Sequence, residues 1–153
     1  MATSIYYLDS SAWVKRYLKE VGTQWVENLF ATQPVLACSS LGWIEVAATF
    51  ARRQVAGFLT AVDAHQRFSD LDTDWAQFVQ IEFTGSLTAR TRDIAARRAL
   101  RGADAIHLAS ALFLRESQAS REFEITLISC DRELLVGASA EGLNVIDPIN
   151  VPP

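Results

Sequence analysis

Glu124-Ile125-Thr126-Leu127-Ile128-Ser129-Cys130-Asp131 is the clearest strand signal in the chain, and it stops on an acid. The run is short, rich in β-branched residues and nearly free of charge, as expected of a strand covered on both faces. Ile5-Tyr6-Tyr7-Leu8-Asp9 near the amino terminus has the same form. Further strands are expected at 35–38, 76–83 and 143–146, with segments of helical period between them. Alternation of this kind predicts an α/β fold with a central parallel sheet of about five strands flanked by helices.

The intervening segments carry their own boundaries. Ser10 or Ser11 can cap a helix over 12–20, Gly22 breaks it, and Thr23 caps a second helix through Phe30. Ser39 or Ser40 starts a longer helix to Val55, stopped by Gly57, with Leu41, Ile44, Ala48, Ala51 and Val55 as its apolar face. Thr60 opens a helix to about Leu71. An arginine-rich helix is expected over 84–100, another over 103–116 after Gly102, and a short one over 132–140 closed by Gly142. One domain over residues 1–148 is expected, with 149–153 as a carboxy-terminal tail.

The chain has 153 residues, enough for a substantial core, and a formal net charge of −4, so no overall basic pull draws it to nucleic acid. Arginines nevertheless gather at Arg90, Arg92, Arg97, Arg98 and Arg101. Cys38 and Cys130 lack metal or redox spacing and read as reduced, buried thiols. No signal peptide or apolar run of membrane-spanning length is evident, and a cytoplasmic protein is expected.

Four acids occupy special places. Asp9 and Asp131 leave strands, while Asp104 and Glu45 lie near the starts of helices. In open parallel sheets these positions meet at one edge. Close carboxylate pairs repel by about 4 kcal/mol each at an effective dielectric near 20. A divalent cation is the simplest remedy, and hard oxygen donors without a His or Cys cluster suit Mg²⁺ or Mn²⁺. Such an ion could activate water for attack on phosphorus. Asp9, Asp104 and Asp131 also have plainer readings, as a turn residue, a helix-start acid and an N-cap; Glu45, bordering the apolar stripe between Leu41 and Ala48, is harder to dismiss, and the joint placement favours a site.

These motifs resemble those of PIN-domain nucleases of the virulence-associated protein C type. Tyr7-Leu8-Asp9-Ser10-Ser11-Ala12-Trp13-Val14-Lys15 is similar to the family's first motif and Ile44-Glu45-Val46 to its helical glutamate. Ala103-Asp104-Ala105-Ile106-His107-Leu108-Ala109 is similar to the third motif, the most specific, and Ile128-Ser129-Cys130-Asp131 with Leu134 to the fourth. The resemblance spans nearly the whole chain. It implies a Mg²⁺- or Mn²⁺-dependent ribonuclease, the toxin of a toxin–antitoxin pair. Asp9, Glu45, Asp104 and Asp131 would be the catalytic, metal-binding set, supported by Ser10 and Ser129. It further implies a homodimer and a neutralising antitoxin. Within the class, the alternatives are a housekeeping RNA-processing nuclease and a catalytically silent binding module.

Other residues carry weaker signals. Arg97, Arg98 and Arg101 could hold RNA phosphates, or form a solvated helix face. His107 shares a helix face with Asp104 and reads as a structural histidine that could orient a carboxylate. His65 reads as a surface residue, the tryptophans as packing residues, and Asp70, Asp72 and Asp74 as a solvated linker. A phospho-accepting receiver domain fits poorly, since the only lysines are Lys15 and Lys19. A phosphatase with an aspartyl nucleophile would want an Asp where Ser11 stands.

Overall fold

A computed structural model describes residues 3–118 and 122–151. Five parallel strands form one sheet in the order β3-β2-β1-β4-β5. They are β1 (Thr3–Leu8), β2 (Val35–Ser39), β3 (Val79–Ile81), β4 (Phe123–Ile128) and β5 (Asn144–Ile146). The helices are α1 (Ser10–Trp13), α2 (Thr23–Ala31), α3 (Ser40–Val55), α4 (Ala61–Trp75), α5 (Gly85–Arg98), α6 (Gly102–Ser117) and α7 (Arg132–Ala140). Among the described residues no helix is long and apolar enough to cross a membrane.

Period-two alternation divides the strand side chains between two cores. Ile5, Tyr7, Ala37, Ile125 and Leu127 join Leu87, Ile94, Leu108, Leu112 and Leu134 on the face covered by α5, α6 and α7. Leu8, Leu36, Cys38 and Ile128 join Trp13, Val46, Phe50, Leu71, Trp75 and Phe78 on the other. Burial on both faces explains why the strands read as unbroken apolar runs rather than alternating ones.

The helix expected over 12–20 ends early. After α1 comes a single 3₁₀ turn, Val14–Arg16. Ala12, Trp13, Val14 and Lys15 are all buried, so this segment has no solvent face for a regular amphipathic helix. Lys15 Nζ bonds Glu20 Oε2 at 2.9 Å, and Thr23 Oγ1 accepts from the Glu20 backbone N–H, closing the turn into α2. Gly22, in the left-handed region at φ 95°, rather than Thr23, is the N-cap of α2.

The inward face of α3 also differs from expectation. Gly42, Val46 and Phe50 are buried, at four-residue steps, while Ile44, Ala51 and Val55 are exposed. Phe50, edge-on to Tyr17 and to Phe68, sets the helix's rotation more strongly than alanines spaced around it.

The strand expected over 76–83 contracts to β3 because α4 runs on to Trp75. Backbone bonds from Gln77 to Asp74 and from Phe78 to Trp75 turn residues 76–78 off the helix end. Asp70, Asp72 and Asp74 therefore lie on α4 and not in a linker. Asp72 accepts from Trp43 Nε1, and Asp74 from the Tyr17 hydroxyl. Cys38 and Cys130 are both free; Cys38 is buried and Cys130 half-buried.

Candidate active site

The sheet order reverses at β1, which pairs with β2 on one side and β4 on the other. The carboxyl ends of β1 and β4 run level, Leu8 opposite Ile128, and the Asp9 N–H donates to the Ile128 carbonyl. A crevice outside such a switch point is where parallel sheets bind ligands.

Asp9 is buried there. Its Oδ1 accepts from the Ala12 N–H at 3.0 Å, capping α1, and from Ser11 Oγ at 2.7 Å. Its Oδ2 accepts from Ser129 Oγ at 2.6 Å. The two serines are themselves fixed, Ser11 Oγ by the Cys130 N–H and Ser129 Oγ by the Asp131 N–H. Burial pushes the Asp9 carboxyl up; His107 and these hydrogen bonds act against it.

Asp131 is the N-cap of α7, its Oδ1 accepting from the Glu133 and Leu134 N–H groups. The plain N-cap reading of this residue is therefore correct, and its charge also bears on Asp104. Asp104 sits in the first turn of α6. Burial, then Asp131, Asp9 and Glu45, push its carboxyl up to about 6, with His107 opposing. All four acids thus share one electrostatic neighbourhood. Glu45, half-buried on α3, behaves differently. Burial would raise it, but a 2.7 Å hydrogen bond with His107 Nε2 and the nearby Ser10 hydroxyl hold it below the usual carboxylate range.

Among the described residues no three His, Cys, Asp or Glu side chains converge closely enough to enclose an ion by themselves. That does not conflict with Mg²⁺, which is commonly held by one or two carboxylates and keeps several waters. The donor set fits such an ion: it is all oxygen, and its accumulated negative charge already impedes ionisation of Asp104. Asp104, Asp9, Asp131 and Glu45 are the residues that could hold it.

Of the arginines, Arg97 and Arg98 both bond Glu141 Oε1, at 2.7 and 3.0 Å, and Arg90 pairs with Glu116. Among the described residues Arg101 has no ion pair; it is the N-cap of α6, three positions before Asp104. His65 is exposed. Ser11 and Tyr7 received no site role from the sequence. Ser11 had one available signal, a hydroxyl two residues after a strand-end Asp, the spacing of a local side-chain turn. Tyr7 had none, since its partner, His107, lies 100 residues away.

The PIN domain model matches residues 6–137. The chain belongs to the PIN domain family. Two relatives, Ribonuclease VapC45 and Ribonuclease VapC49 from two strains of Mycobacterium tuberculosis, are each 31% identical over 141 residues, covering 92% of this chain and 94% of theirs. Among solved structures, PAE2754 from Pyrobaculum aerophilum aligns with a TM-score of 0.63 at 21% identity, over 97% of this chain and 92% of that one. A toxin–antitoxin complex from Klebsiella pneumoniae aligns with a TM-score of 0.66 at 16% identity, over 95% and 99%.

Proposed function

We propose that this protein is a Mg²⁺- or Mn²⁺-dependent endoribonuclease, the toxin of a toxin–antitoxin pair, that hydrolyses RNA phosphodiester bonds. The observation that carries the reading is the carboxyl of Asp104 at the sheet's switch-point edge, raised by burial and then by the charges of Asp131, Asp9 and Glu45. The relatives named as VapC ribonucleases support the activity and its RNA substrate. The toxin–antitoxin complex among the structural neighbours supports an antitoxin partner. A homodimer is part of the proposal.

A bound dication would supply a Lewis acid for the phosphoryl oxygens and lower the pKa of water. The chain's own residues do the positioning. Ser11, Ser129 and the Ala12 N–H hold Asp9 in one orientation, and the starts of α6 and α7 present Asp104 and Asp131. Arg101, three positions before Asp104 and without an ion pair among the described residues, would take a substrate phosphate.

RNA incubated with the purified protein should be cleaved with Mg²⁺ or Mn²⁺ and left intact with EDTA. Cleavage that persists in EDTA would overturn the mechanism.

The raised carboxyl of Asp104 adds a test by thermal melting. A group whose folded pKa exceeds its unfolded value stabilises the fold at low pH, and that contribution is lost as pH rises through the folded pKa. For Asp104 the loss falls between about pH 4 and pH 6. Above that window the ionised site repels itself, and a dication relieves the repulsion. Mn²⁺ should therefore raise the melting temperature more at pH 7.5 than at pH 5. An equal rise at both would count against these acids as the binding set.

A further inference from the structure

We infer that Tyr7 and His107 form a buried relay that positions Glu45, and with it the spacing of the acids around the bound ion; this rests on the metal-dependent reading above. Tyr7 is fully buried and His107 is 2% exposed. The Tyr7 hydroxyl lies 2.9 Å from His107 Nδ1, and His107 Nε2 lies 2.7 Å from Glu45 Oε1. The Ser39 backbone N–H donates to the same Tyr7 hydroxyl at 3.1 Å. That bond uses the phenol as an acceptor and leaves its proton free for Nδ1; with the proton there, the imidazole carries its own on Nε2 for the glutamate. In that arrangement the relay donates from Ser39 to Tyr7, from Tyr7 to His107 and from His107 to Glu45.

Packing fixes the ring as well as its tautomer. Tyr7 meets the imidazole edge-on, with centroids 5.9 Å apart at 75°. On the α3 side stands Gly42, where an added Cβ would lie 2.3 Å from Cys38 Sγ and 3.2 Å from His107 Cε1. Glycine in a helix interior costs about 1 kcal/mol relative to alanine. Here it lets α3 approach close enough for Glu45 to reach the ring.

Each member of the relay is tied to an acid. Tyr7 precedes Asp9 by two residues on β1, and His107 follows Asp104 by three on α6. One buried hydrogen-bonded path therefore links the strand and the two helices that carry three of the four carboxylates. A purely structural histidine would be satisfied inside the core. This one spends its only outward bond on a partly exposed glutamate that faces the site.

Outer partners that orient metal-binding carboxylates or histidines are typically worth about 10- to 100-fold in metal affinity. Mn²⁺ titrated into the whole protein, followed by calorimetry or electron paramagnetic resonance, tests the relay without reference to catalysis. His107→Leu should weaken Mn²⁺ binding within that range, and Tyr7→Phe should weaken it several-fold while leaving the ring packing in place. His107→Gln, which keeps an N–H for Glu45, should recover most of the loss. In a Glu45→Gln background, His107→Leu should add nothing. If wild type binds Mn²⁺ and both His107→Leu and Tyr7→Phe bind it equally well, the relay is overturned and the metal reading stands. A loss in His107→Leu that His107→Gln does not recover also overturns the relay. If wild type binds no Mn²⁺, the metal reading falls and the relay with it. Should His107→Leu fail to fold, Tyr7→Phe and His107→Gln carry the test.

Discussion

Asp104→Asn should lower the rate of RNA cleavage by roughly 10³-fold while the protein stays folded. The substitution removes one negative charge from the most crowded position in the site and replaces an anionic oxygen donor with a neutral amide. Lewis-acid stabilisation of a phosphoryl transition state is worth several kcal/mol, and each 1.36 kcal/mol is tenfold in rate, about three powers of ten for a ligand that fixes the ion. Stability should not fall with activity, because burial and then the charges of Asp131, Asp9 and Glu45 all oppose ionisation of Asp104. The asparagine variant should melt at or above the wild-type temperature in metal-free buffer at pH 7.5, where the lost charge was repulsive. Expressed without an antitoxin, it should also be tolerated where wild type arrests growth. Cleavage within tenfold of wild type, measured on the same RNA at the same Mn²⁺ concentration, would remove Asp104 from the machinery.

Trp13→Ala should produce the largest loss of stability of any single change near the site, about 3–5 kcal/mol. Trp13 is fully buried, stacked on Phe78 at 4.6 Å between centroids and tilted against Trp75 at 5.8 Å. Its Nε1 donates to the Tyr17 hydroxyl, which in turn donates to Asp74 Oδ2, so the side chain anchors α1 to α4. Its backbone N–H donates to the Asp9 carbonyl, so the same loss reaches the first acid of the site. Against a typical domain stability of 5–15 kcal/mol, the alanine variant stands near unfolding. Urea denaturation would measure it, with Trp13→Phe expected to lose less. A change under 1 kcal/mol for the alanine would show that the aromatic cluster repacks freely.

The sheet was legible because its strands are covered on both faces, which leaves short apolar runs that end in polar residues. The acids were legible for the same reason: a parallel sheet sends strand ends and helix starts to one edge, so Asp9 and Asp131 could be placed from sequence position alone. What local pattern could not supply was orientation. The rotation of α3 follows Phe50 packing against Tyr17 and Phe68 from elsewhere in the chain, and counting apolar spacing gave the wrong face. Residues 12–17 look helical by propensity, yet the burial of Ala12, Trp13, Val14 and Lys15 and the Lys15–Glu20 pair go with a 3₁₀ turn instead. Histidine 107 read as structural from its helix alone. Its ties to Tyr7 and Glu45, 100 and 62 residues away, exist only after the three elements meet. Ser10, expected to support a carboxylate, does so at Glu45, while Ser11 bonds Asp9.

The join between α5 and α6 has a consequence for how stiffly Asp104 is delivered. Ala99, with φ 51°, holds a left-handed conformation that costs a residue with a Cβ roughly 1–2 kcal/mol. Its neighbour Leu100 is buried with its methyl groups beside Gly137, so the corner is wedged as well as bent. Glycine, the usual occupant of such a corner, would ease the backbone but widen the range of angles at which α6 could leave it. By tolerating discomfort at Ala99, the chain narrows the swing of the helix whose first turn carries the acid. Rigidity at the edge that carries the acids is thus drawn from a bend at its border.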